Sequence, residues 1–232
     1  MIPLHDDNPT SITPYVTIGL IVVCVLVFLW QVGHGPRGQQ AIAFGLGFVP
    51  ALLLAGKELP PELYVVPPEV TLFTSMFLHG GWMHLIGNML YLWIFGNNVE
   101  DAMGHTRFVA FYLLCGLAAA MAQALPAPDS PVPMIGASGA ISGVLGAYLL
   151  LHPHARVMVV IPFGFFLHTV YLPAVAVLGI WFFVQIISSL GATGEQGGVA
   201  WFAHIGGFVA GMALIPLFRY RHVRLWSPAR RR

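Results

Sequence analysis

Three groups of residues in this 232-residue chain have types and spacings suited to chemistry. Ser138 lies in Gly136-Ala137-Ser138-Gly139. Glycine has no Cβ, so a serine flanked this way can be approached closely by backbone or substrate. His79, His84 and Asn88 form the second group, with His84 and Asn88 four residues apart and therefore on one face of a helix. His204 leads the third, followed at i+3 and i+7 by Gly207 and Gly211. Serine becomes a nucleophile when a base takes its proton, and neutral imidazole is the usual base near pH 7. An amide side chain and a backbone N–H at a helix start supply donors for a developing oxyanion. The reaction these groups suit is acyl transfer to water. Each group also has a plain structural reading: small residues pack helices, a lone histidine sits in a core, and asparagine bridges neighbouring helices.

What positions them is set by composition. The chain is 57% hydrophobic and 8% charged, with a mean hydropathy of +0.79. Soluble domains carry about 25% charged residues, so the bilayer is the solvent for most of this surface. A span needs about 20 mostly apolar residues. Six stretches qualify as transmembrane helices, at about 12–30, 81–99, 108–125, 137–151, 172–190 and 200–218. They make an all-α membrane protein with a single domain over 1–232. The long connection 31–77 is too apolar for a free linker and is expected to associate with the membrane, and 157–171, broken by Pro162 and Gly164, is expected at the interface. No basic region precedes the first apolar run, so no cleaved leader is expected.

Orientation follows from Lys and Arg by loop. One side holds Arg107, Arg156, Arg219, Arg221, Arg224, Arg230, Arg231 and Arg232, whereas the other holds Arg37 and Lys57. Both termini are therefore expected in the cytoplasm, with a basic tail over 219–232 that anchors to anionic lipid rather than to nucleic acid. The second, fourth and sixth spans then start at the outer face. That brings His79, His84, Asn88, Ser138 and His204 to one depth in three separate helices. Polar residues are costly in hydrocarbon and mark function there by default, and packing alone does not explain a shared level.

Small residues let the helices meet. Gly139, Gly143 and Gly146 on the fourth span and Gly207 and Gly211 on the sixth permit close backbone approach. Of the nine acidic residues none falls inside a span at the outer level, so a Ser–His dyad is expected rather than a triad. Cys24 and Cys115 sit in apolar runs and read as small hydrophobes. Two competing functions fit the residues less well. His79, His84 and His204 could ligate zinc, but no His-Glu-x-x-His motif accompanies them. A transporter predicts paired broken helices and buried charges, and neither is visible.

The segments Phe77-Leu-His-Gly-Gly-Trp-Met-His-Leu-Ile-Gly-Asn-Met89, Gly136-Ala-Ser-Gly139 and Ala203-His-Ile-Gly-Gly207, with Gly211, resemble the signatures of the rhomboid intramembrane serine proteases, in their order and spacing. The resemblance implies a six-helix rhomboid-like bundle of bacterial type in the cell membrane. It implies Ser138 as nucleophile, His204 as general base, and His84, Asn88 and the Ser138 backbone as the oxyanion hole. His79, Gly136, Gly139, Gly207 and Gly211 would support the site. It further implies a membrane-embedded first loop, a gate and cap formed by helix five and residues 191–198, single-span membrane proteins as substrates, a small residue before the scissile bond, and no cofactor or metal. A pseudoenzyme that binds such clients without cutting them would lack the dyad, and both residues are present. Two features depart from the family. Ser142 stands where some members place an aromatic residue on the catalytic histidine, and no Trp-Arg pair is evident in the first loop.

Overall fold

Long apolar runs wind into helices because only a helix satisfies every backbone group within its own segment. In the computed structural model, which describes residues 1–163, 166–190 and 199–226, helix α1 covers Tyr15–Gly33. Its outward residues Val22, Val23, Leu26 and Leu29 are exposed, as a lipid-facing helix requires. Three short helices follow, α2 (Gly35–Leu46), α3 (Pro50–Leu54) and α4 (Pro68–Thr74). Each has proline in its first turn, where the missing N–H costs nothing.

Helix α5 (Trp82–Tyr91) runs through a π-turn at Leu92–Gly96 into α6 (Asn97–Met103). Then come α7 (His105–Ala124), α8 (Ser138–Leu151), α9 (Ala174–Leu190) and α10 (Trp201–Phe218). Among the described residues α1, α7 and α10 are long and apolar enough to cross a membrane, while α8 and α9 are shorter apolar helices. Helix α8 is the central rod. Every residue from Ala140 to Tyr148 is buried.

Its two neighbours approach by different means. A Cβ on Gly207 would lie 2.0 Å from the Gly139 carbonyl oxygen, and one on Gly211 would lie 1.9 Å from that of Gly143. Helices α8 and α10 therefore touch backbone to backbone, and any side chain at those two glycines would push them apart. Gly139 and Gly143 themselves point at Ala119 and Cys115 of α7. The small face of α8 thus receives α7 side chains, while the glycines of α10 admit the α8 carbonyls.

The all-α expectation needs one correction. Segments β1 (Ile2–Asp6), β2 (Arg156–Phe163) and β3 (Phe166–Pro173) form an antiparallel sheet in the order β1-β2-β3, so the stretch expected as an interfacial segment is a hairpin. Val157 pairs with Leu172, Val159 with Val170 and Ile161 with His168, which places them on one face. Val157 and Val159 are fully buried. Farther out on the same face Ile161 and Phe166 are exposed. The sequence hid this period of two because both faces are apolar. Strand β1 is pinned to the helices where Tyr148 Oη donates to Asp6 Oδ2 at 2.5 Å.

Candidate active site

The serine segment is held from below by the first loop. Phe48 and Met134 pair as an antiparallel bridge, with N–H···O distances of 3.0 and 2.7 Å, and Ala51 N–H donates to the Ser130 carbonyl at 3.0 Å. Gly136 N–H donates to the Ser75 carbonyl at 2.9 Å. Gly136 has φ +127°, a conformation that L side chains rarely adopt, and its missing Cβ would sit 2.8 Å from His84 Nε2. Glycine here serves both the turn into α8 and the approach of the His84 ring. Ser138 is the first residue of α8, so its N–H has no partner within the helix.

Across the α8–α10 contact, Ser138 Oγ and His204 Nε2 lie 2.9 Å apart. His204 Nδ1 faces Gln185 Oε1 of α9 at 2.7 Å. Two indoles border the imidazole: Trp181 at 5.9 Å between ring centroids, tilted 36°, and Trp201 at 6.1 Å, edge on. Ser142 takes no part in this. Its hydroxyl donates to the Ser138 carbonyl at 2.7 Å, one turn back along α8. The support that an aromatic at position 142 would give comes instead from Trp181 and Gln185 of α9. On α7, Gln123 Oε1 accepts the Ala203 N–H at 3.2 Å and fixes the start of the histidine helix.

On α5, Gly80 N–H donates to His84 Nδ1 at 3.2 Å. That nitrogen is therefore an acceptor, and neutral His84 carries its proton on Nε2, the atom beside Gly136. Asn88, one turn farther on, is buried, and its amide nitrogen makes no hydrogen bond with the protein. His79 is also buried, with its ring edge-on to His84 at 5.2 Å. Gln31 of α1 clamps its backbone, accepting its N–H at 3.0 Å and donating to its carbonyl at 3.4 Å. His79 lies before the start of α5, and burial, aided by the neighbouring His84, pushes its pKa down to about 4, so the ring stays neutral. Among the described residues no three His, Cys, Asp or Glu side chains are grouped to hold a metal ion.

A small-residue pocket adjoins the serine, lined by Met76, Gly116, Ala119, Ala140 and Ala203 among others. Ser138, His204, His84, His79, Gly136, Gly139 and Gly207 thus come together at one end of the bundle, and Gly211 stacks one turn deeper. The residues that sequence reasoning missed are Gln185, Gln31 and Gln123. Each is an uncharged amide inside or at the end of an apolar run, and that is the signal that marks them.

The Rhomboid domain family model matches residues 68–221, the part of the chain that contains every one of these groups except Gln31. The chain belongs to the rhomboid family. Similar rhomboid proteins include Rhomboid protease GluP of Bacillus subtilis, 37% identical over 144 residues, or 62% of this chain and 25% of that protein. RHOMBOID-like protein 5 of Arabidopsis thaliana is 37% identical over 78 residues, or 34% of this chain and 25% of that one. The mitochondrial Rhomboid protein 1 of Saccharomyces cerevisiae is 33% identical over 97 residues, or 40% and 28%. The match therefore spans only about a quarter of these relatives' length.

Proposed function

We propose that this rhomboid is an intramembrane serine endopeptidase that cleaves membrane proteins in or near a transmembrane segment by a Ser138–His204 dyad. The observation that carries the reading is the 2.9 Å contact between Ser138 Oγ and His204 Nε2 across two helices. In the first step the Oγ–H proton passes to Nε2 as Oγ bonds to the scissile carbonyl carbon. The negative charge collects on the carbonyl oxygen. His84 Nε2–H, Asn88 Nδ2–H and the Ser138 N–H are the donors assigned to it in this reading. Collapse breaks the C–N bond, with the imidazolium giving its proton to the leaving amine. Water, deprotonated by His204, then hydrolyses the acyl-enzyme.

The reading extends to substrate and membrane. Small pocket walls beside Ser138 suit a small side chain before the scissile bond. Single-span proteins, whose helix can unwind into the site, are the substrate class. The chain forms one catalytic domain that crosses a bacterial cell membrane six times, with the Ser138 end outside and both termini in the cytoplasm. The test is purified protein in detergent with a model single-span substrate. Ser138→Ala and His204→Ala are expected to abolish cleavage while leaving the thermal melt in place, and cleavage at the wild-type rate by either variant would overturn the mechanism. Cysteines placed at Lys57 and at Arg221 test the topology. Only the first is expected to react with an impermeant reagent added to intact cells.

A further inference from the structure

Rhomboid chemistry by a dyad leaves one question, which is what fixes the proton on the far side of the base. We infer that Gln185 is a positioning residue that locks His204 in the tautomer able to accept the serine proton. The inference deepens the serine–histidine reading and rests on it.

The argument starts from the amide. Gln185 is 5% exposed, so both ends of its side chain need partners within the protein. Its Nε2 donates to the Trp181 carbonyl at 3.2 Å, one turn back on α9. With the nitrogen end engaged there, the oxygen end faces His204 Nδ1 at 2.7 Å. An amide oxygen only accepts, so Nδ1 must carry the hydrogen. Neutral imidazole holds one proton, and Nε2 therefore presents its lone pair to the Ser138 hydroxyl at 2.9 Å. The chain of assignments runs from a backbone carbonyl on α9 through the amide to the nucleophile, and each step leaves a single choice. When the serine proton moves to Nε2, Nδ1 keeps its hydrogen and goes on donating it to Gln185 Oε1.

An amide differs in kind from the carboxylate of a Ser-His-Asp triad. An amide that presents its NH₂ to the imidazole imposes the wrong tautomer. Here the Trp181 carbonyl prevents that by occupying the NH₂. A carboxylate would stabilise the imidazolium more strongly, but it would bury a charge at membrane depth. The neutral amide keeps the orientation and omits the charge. Trp181 adds a second restraint, because its ring packs on the His204 ring, tilted 36° at 5.9 Å, and also on Phe208 at 6.0 Å. Residues 181 and 185 are one helical turn apart, so a single face of α9 both packs on the base and sets its tautomer.

Three variants and one spectrum test this. Gln185→Met keeps the length of the side chain and removes the acceptor. It is expected to lower kcat about 10- to 100-fold with KM within a few-fold of wild type, and the melt should be unchanged. Gln185→Glu, entering as the neutral acid whose hydroxyl donates to the Trp181 carbonyl, restores an acceptor and should recover most of that loss, whereas Gln185→Ala should not. In ¹⁵N spectra of histidine-labelled protein without substrate, His204 is expected as the Nδ1–H form in wild type and as a mixture in Gln185→Met. Wild-type kcat in Gln185→Met, equal losses in Gln185→Met and Gln185→Glu, or an Nε2–H tautomer in wild type would each overturn the inference. The spectrum is independent of turnover. Activity surviving in Ser138→Ala would overturn the dyad instead, and would leave the tautomer measurement standing.

Discussion

At one end of α8 stand Ser138, His204, His84, Asn88 and Gln185, none of them a carboxylic acid. At the other, ten residues and about 15 Å along the axis, stand Tyr148, Asp6 and Glu100. Glu100 is fully buried and uses both oxygens, accepting from Val16 N–H at 3.0 Å, Thr17 N–H at 2.8 Å, Thr17 Oγ at 2.7 Å and His105 Nδ1 at 2.6 Å. It caps the N-terminus of α1, where helix dipole and orphan N–H groups favour an anion. At the Ser138 end, by contrast, Asn88 Nδ2 and His79 Nε2 make no hydrogen bond with the protein. Carboxylates tie helices together at one end, and neutral imidazole and amide groups gather at the other, where the Asn88 amide keeps an unspent donor. A buried carboxylate is tolerable when every lone pair is used. A site that must receive a charge during reaction does better without one already in place.

That contrast can be broken from either side, and the largest effect is expected at the serine. Ser138→Ala should lower the cleavage rate by about 10⁴-fold or more, with the melting temperature held. A loss of fold together with activity would mean that the two ends are not separable. Glu100→Ala should do the reverse. It strands the α1 N–H groups and should cost roughly 3–5 kcal/mol in chemical denaturation, while the protein that remains folded turns over within a few-fold of wild type. Asn88→Ala should cost about 10²-fold in kcat if its amide meets the oxyanion. An effect on KM alone would move it from the oxyanion hole to substrate binding.

The smallest effect concerns pH and Asp6. Burial raises this carboxyl from 3.8 to about 6. Because the folded state favours the protonated form, the stabilising contribution is complete below the unfolded value of 3.8 and is lost as pH rises through about 6. The full span corresponds to no more than about 3 kcal/mol. Opening of the β1–β2 pair, read by exchange of the Asp7 amide that donates to the Arg156 carbonyl, should grow easier between pH 4 and 7 after correction for intrinsic rates. Asp6→Asn should flatten the dependence. An opening energy in wild type that does not change with pH would rule out a buried, titrating Asp6.

Legibility differed between the ends for a physical reason. Ser138, His84, Asn88 and His204 stand out because polar side chains inside apolar runs are rare and costly. Gln185 meets the same criterion on α9, yet a lone amide among Val, Phe and Ile reads equally well as packing until its partner is known. Asp6 carried no signal of burial, since β1 is too short and irregular to announce a strand. The hairpin was missed because alternation cannot be seen when both faces are apolar. Ser142 was legible only as an absence, and its bond to the Ser138 carbonyl shows that the histidine draws its support from elsewhere.

Composition, hydropathy and the spacing of a few polar residues by themselves determined a helical membrane chain with a serine and a histidine to be brought together. Those properties are local, because burial in lipid demands helices and makes each polar residue conspicuous. Which groups touch was decided by tertiary packing alone. The backbone contact of Gly207 and Gly211 with α8 sets the Ser138–His204 distance, and a carbonyl on a third helix decides which way Gln185 faces. Hydrogen bonds between distant segments depend on register and rotation to within a fraction of an ångström, and no pattern along one strand of sequence encodes that.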